Sequence, residues 1–502
     1  MTEPNKYIAA VDLGTTKVAI AVGRKAENNK IEILSVKEVH SEGVIKGDLK
    51  NLEQAASAIR EVKAQIEKEL SLTLSQVLVG ISGQHIKCIN DTGNVFVRNS
   101  NQGISEITAE DVQNLISLMH RKSVGVGKTI INVLPQIYKV DEESDISEPV
   151  GMEGKRLEAK FNIIVGEESA IERVRRCFER VGMQMIEPVL QPLASAEAVL
   201  SEDEKELGVA VIDIGGGTTD LCIYYDKIIR HIAVIPIGGN IVNKDIKSIG
   251  VLNKHIEKLK TTFGEAIASK TPAEKYIKLR PVSGQPAKEV PLRTLACIIE
   301  ARMYDIIDLV KIEIERGTAG VKLGAGIVLT GGGANLKNLD LLFRSKLQTE
   351  VRVASPTTQL TAESLEKVAS PKFSTLSGIM VDALRRNVYT DVEVIEQPVV
   401  VEPVAAAPTP TPETTPYQQE SLQQNQMEGD MEGYNQQEYA QDEYNQGGYN
   451  TQGGYAADEY EGYEDDYDDE PTVTKRKRGL FSKLRDKFSK MVSDEEIDDD
   501  QV

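Results

Sequence analysis

Hydrophobic and polar positions along this chain follow two periods, and the points where one gives way to the other mark its elements. Near the start, an apolar run over residues 8–11 ends at Asp12, small and hydroxyl-bearing residues lead to Lys17, and apolar residues return over 18–22. A strand, a tight turn and a second strand are predicted. The pattern recurs about 200 residues later, with apolar residues 209–212, the phrase Asp213-Ile-Gly-Gly-Gly-Thr-Thr-Asp220, and apolar residues 221–225. A third apolar run, near 326–329, leads into Thr330-Gly-Gly-Gly-Ala334. Apolar residues at helical spacing predict helices over 52–70, 168–181, 241–249, 253–263, 295–316, 339–347 and 377–386, with strands over 76–81 and just after Gly182. Strands alternating with helices on this scale predict an α/β fold.

Two stretches read as inserted units. Residues 85–162 hold predicted strands at 86–89, 94–98, 130–138 and 160–165, and a helix from Thr108 to about His120 that opens on the capping sequence Thr-Ala-Glu-Asp. Residues 227–304 hold a strand over 227–235, the pair Gly238-Gly239 and two helices. The predicted organisation is a first core domain over 1–84 and 163–200, split by the unit 85–162, and a second over 201–226 and 305–390, split by the small unit 227–304, with its last part returning to the first domain. From about Asp391 the periodicity stops. Residues 391–416 are rich in Val, Pro and Thr, and 417–470 in Gln, Asn, Gly, Glu and Asp, with Tyr434, Tyr439, Tyr444, Tyr449, Tyr455 and Tyr460 about five apart. So few aliphatic groups do not offset ordering entropy, and a disordered acidic linker is expected over 391–474.

The net charge of −20 belongs to this end of the chain. Residues 391–474 carry about 21 acids and no Lys or Arg, residues 475–492 about +7 and the acidic tail 493–502 about −6, so the body is near neutral and no nucleic-acid partner is expected. After Lys475-Arg-Lys-Arg478, helical spacing places Leu480, Phe481, Leu484, Phe488, Met491 and Val492 on one stripe, with Lys483, Arg485, Lys487 and Lys490 on the polar faces. That pattern predicts a helix lying in the surface of an anionic membrane; the alternative is a helix that docks on the body. Cys88, Cys177, Cys222 and Cys297 have no metal-ligand spacing and are expected to be buried thiols of a cytosolic chain. No apolar stretch has signal or spanning length, so a protein neither secreted nor membrane-spanning is expected.

The two Asp-Gly-Thr turns carry the candidate chemistry. Glycine permits close backbone approach, successive N–H groups supply donors for phosphate, and an Asp at a strand end can face a hydrated magnesium ion. Two copies at strand ends, one in each half, predict that both halves close on one nucleotide. The phrase Gly125-Val-Gly-Lys-Thr129 looks like the end of a P-loop, but it lacks the first glycine, which would fall at Lys122, and follows a helix; it is not expected to bind nucleotide.

These three glycine turns, in this order, resemble the actin-like ATPase superfamily, in which two similar domains hold ATP and Mg²⁺ in the cleft between them. The resemblance implies that Asp12, Gly14, Thr15, Thr16 and Lys17 form a first phosphate loop, Asp213, Gly215, Gly216, Gly217, Thr218 and Thr219 a second, and Gly331, Gly332 and Gly333 an adenosine loop, with Asp12 and Asp213 holding the metal's waters. Gln191, in Gln191-Pro-Leu-Ala-Ser-Ala196, falls where relatives orient the attacking water, and Glu257 and Lys260 match an adenosine-contacting pair. Gly80-Ile-Ser-Gly-Gln-His-Ile86, Leu134-Pro-Gln-Ile-Tyr-Lys-Val140, Pro149-Val-Gly-Met-Glu-Gly154 and Val234-Ile-Pro-Ile-Gly-Gly-Asn240 resemble segments of the FtsA family of bacterial cell-division proteins, and on that basis Gly238 and Gly239 join the nucleotide-binding set. The resemblance spans residues 5–390. It implies an actin-like fold with an inserted subdomain in each half, self-association into filaments, binding to the tubulin-like division protein FtsZ through residues 227–304, contact with other division proteins, and tethering to the cytoplasmic face of the inner membrane at the septum. A small-molecule kinase, a chaperone ATPase and a pilus-assembly or rod-shape actin homologue share the superfold and stand as alternatives.

Overall fold

The computed structural model describes residues 6–98, 103–279, 288–318 and 320–394. The predicted acidic linker starts later than expected, because Val392–Val394 pair as a short strand with Leu72–Leu74; its remainder from 395 and the amphipathic segment, with Leu480, Phe481, Lys483, Leu484, Arg485, Lys487, Phe488 and Met491, lie outside the described residues. Each predicted hairpin sits at the middle of a sheet. In the first half, β1 (Tyr7–Leu13) turns into β2 (Lys17–Lys25) and β3 (Ile31–His40), helix α1 (Leu52–Leu70) follows, and β4 (Gln76–Ile81) returns beside β1. Helix α1 starts where predicted because the Asn51 carboxamide oxygen accepts from the Glu53 and Gln54 N–H groups, and it buries Ala55, Ala56, Ile59, Val62 and Ile66 as one stripe. Each such isoleucine contributes about 1.5–3 kcal/mol of burial free energy.

The chain then leaves the first half for β5 (Lys87–Phe96), α2 (Ala109–His120), β6 (Lys128–Val140), β7 (Glu143–Ile146) and β8 (Arg156–Glu167), which form an antiparallel sheet of order β7-β6-β8-β5. The predicted capping box is present, with Thr108 and Asp111 exchanging hydrogen bonds. The two strands expected at 86–89 and 94–98 are instead one. Asn90-Asp-Thr-Gly93 resembles a turn in sequence, yet every residue of β5 from Lys87 to Phe96 pairs with β8. Gly93 belongs there for packing: a Cβ on it would lie 2.4 Å from the Met119 sulfur of α2. The P-loop-like Gly125-Val-Gly-Lys-Thr129 spans the exposed connection from α2 into β6, with Val126 fully exposed.

Helix α3 (Glu168–Arg180), β9 (Gln184–Leu190) and α4 (Gln191–Val199) complete the first half and lead across to β10 (Val209–Ile214), β11 (Thr219–Tyr225) and β12 (Ile228–Ile235). Helices α5 (Asn240–Ser248), α6 (Asn253–Phe263) and α7 (Leu292–Thr318) precede β13 (Ile327–Thr330), α8 (Leu339–Leu347), β14 (Val351–Val353) and finally α9 (Ser374–Arg385). The first sheet runs β9-β4-β1-β2-β3 and the second β14-β13-β10-β11-β12, with the same sequence of parallel and antiparallel pairings. The two halves are copies of one plan. Strand β12, expected inside the small unit 227–304, is instead the edge of the second sheet, because its residues pair with Thr219–Tyr225 along their length. The smaller unit therefore consists of α5, α6, a hairpin joining Tyr276–Leu279 to Lys288–Pro291, and the start of α7.

Candidate functional site

The repeated architecture brings the two Asp-bearing turns face to face. Leu13 pairs with Val18 and Ile214 with Thr219, so each turn is a tight loop at the same end of its sheet, closed by Gly14 N–H donating to Lys17 O (3.0 Å) and by Gly215 N–H donating to Thr218 O (2.9 Å). Between them lies a cleft of about 730 Å³ lined by both turns, by Gln191, by Gly239, Glu257 and Lys260, and by Gly331, Gly332 and Gly333. A Cβ on Gly216 would stand 1.8 Å from Thr16 Oγ1, and one on Gly217 would stand 2.4 Å from Thr15 Oγ1. Only glycine fits there. Among the described residues the N–H groups of Thr15, Thr16, Gly216 and Gly217 donate to no protein acceptor. A Cβ-free cradle with unspent donors fits a phosphate chain.

Two further glycine turns support the cradle from behind. The Gly239 and Asn240 N–H groups donate to the carbonyls of Gly215 and Gly216 at 2.9 and 2.8 Å, which fixes the second turn. Lys260 Nζ donates to Gly239 O at 3.1 Å and pairs with Glu257 at 2.8 Å, so these two sequence-predicted residues do reach the cleft wall. Ile299, Met303 and Leu336 line the same cleft with them, offering apolar area to a flat ring. Gly331, at φ +84°, packs on Asp213, and Gly333 packs on Ile214 with no space for a side chain. Two predicted residues do not reach the cavity. Thr219 is fully buried with its hydroxyl donating to Ile237 O at 2.8 Å, because strand alternation turns it away from the turn; Gly238 lies beneath Gly215, where a Cβ would be 2.5 Å from that carbonyl.

Five acids line the cleft, and each has a partner. Asp12 Oδ2 meets Lys17 Nζ at 2.5 Å, while Asp12 Oδ1 accepts from Gln191 Nε2 at 3.2 Å; Gln191 also donates to Gly80 O at 3.2 Å. Asp213 Oδ2 accepts from Ser195 Oγ (2.5 Å) and Thr375 Oγ1 (3.0 Å), Asp220 Oδ1 accepts from Ser82 Oγ (2.8 Å), and Glu38 pairs with Lys372 (2.5 Å). Glu257 completes the set through Lys260. Burial raises the Asp213 carboxyl above the usual carboxylate range, with the Asp12 charge adding to it and the Ser195 and Thr375 hydroxyls opposing it. Burial, then the Asp213 charge, pushes Asp220 up to about 8. Asp220, Ser82, Ser195 and Thr375 are the site residues that sequence reasoning missed. Asp220 had a signal, since it closes the Asp213 phrase and pairs with Asp213 across the hairpin; Thr375 had none, lying 162 residues away in sequence.

Asp220 makes a pH prediction. Its folded pKa lies above its unfolded value, so between about pH 4 and 8 the folded chain holds a proton that the unfolded chain has released. Stability from this group is therefore full below about pH 4, falls as pH rises to 8 with a slope of up to about 1.4 kcal/mol per pH unit, and is level beyond. Urea unfolding of nucleotide-free protein across this range should show Asp220→Asn with a flatter profile than the parent chain.

Comparison with known proteins follows the same lines. The family model described as "Cell division protein FtsA" matches residues 210–378, and that described as "SHS2 domain inserted in FTSA" matches residues 83–165. The chain is 34% identical over 382 residues to the cell division protein FtsA of Neisseria meningitidis serogroup B, covering 76% of this chain and 91% of that one. It is 33% identical over 385 residues to that of Escherichia coli K12, covering 75% and 90%. Among solved structures, a PilM-PilN type IV pilus biogenesis complex shares the fold at a TM-score of 0.53 and 13% identity, covering 76% of this chain and 98% of that chain.

Proposed function

We propose, from the premise that this chain belongs to the FtsA family of actin-like cell-division proteins, that its cleft holds Mg–ATP and that nucleotide occupancy promotes head-to-tail self-association on an anionic membrane, where the assembly holds FtsZ filaments. The observation that carries the cleft's role is the glycine cradle between two matching turns, each backed by a buried Asp. In this reading the N–H groups of Thr15, Thr16, Gly216 and Gly217 and the Lys17 ammonium bind phosphate oxygens, and Asp12 and Asp213 hold the metal's waters. When bound, magnesium supplies neutralising charge to the phosphates. Glu257 and Lys260 flank the adenosine, with Gly331, Gly332 and Gly333 against it, and Gln191 positions water.

ATP in this account is a conformational ligand more than a fuel. Gln191 is a weak base, and every acid lining the cleft is paired or hydrogen-bonded within the protein. A kinase would need an unpaired carboxylate beside an acceptor site, which favours the filament reading over the kinase one. Among the described residues no helix is long and apolar enough to cross a membrane. The basic amphipathic segment 475–492 is the proposed anchor, and the smaller helical unit of the second half is the proposed FtsZ contact. Co-sedimentation tests the function: FtsZ should pellet with anionic vesicles only when this protein and ATP are present. FtsZ left in the supernatant while this protein is vesicle-bound would overturn the adaptor role.

A further inference from the structure

Asp213 is held from two helices that link the halves. Ser195 lies on α4, which carries the chain out of the first half and packs on β10 and β11; Thr375 opens α9, whose body packs on β1, β2 and β4. The start of α9 is bound to the second half, since the Ser374 hydroxyl meets Thr330 Oγ1 at 2.6 Å while Thr375 meets Asp213. The two helices cross in backbone contact: a Cβ on Gly378 would lie 1.7 Å from Ala194 O. At this crossing Ser195 Oγ and Thr375 Oγ1 are 2.9 Å apart, and both sit on one oxygen, Asp213 Oδ2. All three side chains are buried. The other oxygen, Oδ1, is backed by Gly331, where a Cβ would come within 2.1 Å.

We propose that Ser195 and Thr375 are positioning residues that fix the Asp213 carboxylate for magnesium, so that the metal-dependent part of nucleotide binding is tied to the crossing of α4 and α9. Two donors from independent helices hold one carboxylate oxygen and leave the other to face the metal's water shell. Pre-setting a carboxylate in this way lowers the cost of ordering it when the ion arrives. Because one donor comes from each crossing helix, any change in the angle at Gly378 moves one hydroxyl relative to the other and disturbs the carboxylate. The inference rests on the reading of Asp213 as a holder of the metal's waters, and the experiment separates the two.

Calorimetric titration of the full chain with ATP, once with excess Mg²⁺ and once with EDTA, gives the magnesium-dependent gain in affinity. Thr375→Val, which keeps the shape and removes the hydroxyl, and Ser195→Ala are each expected to reduce that gain, the ratio of affinities with and without magnesium, about tenfold. Thr375→Ser, which keeps the hydroxyl, should retain the gain, and the double variant should fall to the level of Asp213→Asn. If Asp213→Asn loses the gain while Thr375→Val and Ser195→Ala keep it, the positioning role is overturned and the Asp213 assignment stands. If Thr375→Val and Ser195→Ala weaken binding equally with and without magnesium, the role is structural and the proposal fails. If Asp213→Asn keeps the gain, the assignment of Asp213 itself falls.

Discussion

Gly217→Val is expected to lower affinity for Mg–ATP more than 100-fold, about 3 kcal/mol or more, with the chain still folded. The first carbon added at Gly217 would already lie 2.4 Å from Thr15 Oγ1 and 2.8 Å from Thr15 Cβ, and valine adds two methyl groups beyond it. Thr15 has little freedom to retreat, because its hydroxyl accepts from Gly47 N–H at 3.1 Å. The substitution therefore forces the two turns apart at the place where the unspent N–H donors converge. Gly127→Ala provides the contrast: its Cβ would meet nothing within 4 Å, its P-loop-like phrase lies outside the cleft, and less than a threefold change is expected. Fluorescence or calorimetric titration, with circular dichroism as the check on folding, reads both.

The second large effect concerns the end of the chain. Changing Phe481 and Phe488 together to Glu should abolish binding to anionic vesicles while leaving ATP affinity unaltered. Each buried phenylalanine contributes about 1.5–3 kcal/mol, so losing two costs more than 100-fold before the new negative charges are counted. The eight Lys and Arg of residues 475–492 contribute on the order of 1 kcal/mol each near an anionic surface, and that share fades with added salt. A single anchor of this kind is expected to bind weakly, so the proposed attachment of an assembly would rest on many copies acting together. The composition of residues 395–474 is that expected of a flexible coil, which at this length spans roughly 50 Å root-mean-square, enough for the body to stand off the membrane. Vesicle flotation against salt concentration measures this.

Much of the fold was legible because its determinants are local. Helix α1 is bounded where Asn51 and the apolar stripe place it, and both hairpins follow from apolar runs flanking small residues. What escaped depends on partners distant in sequence. Asn90 to Gly93 carries turn-like residues, and only pairing with β8 and the proximity of Met119 make it strand. Strand β12 looked like the start of an inserted unit because its membership of the second sheet is decided by β11, not by its own pattern. The site divides in the same way. Asp12, Asp213, Lys17 and the glycines lie in contiguous phrases, whereas Ser195, Thr375 and Ser82 acquire roles only when helices and halves meet. Thr219 shows the converse: it stands in the phosphate phrase, but strand alternation directs its hydroxyl to Ile237.

Negative-stain imaging of the full chain on anionic lipid, with Mg–ATP, without nucleotide, and with the Gly217→Val variant, tests the central claim most directly. Filaments on the lipid with Mg–ATP, lost both without nucleotide and in the variant, are the predicted result. Filaments that form equally in all three conditions would contradict the account, because assembly would then not depend on the cleft.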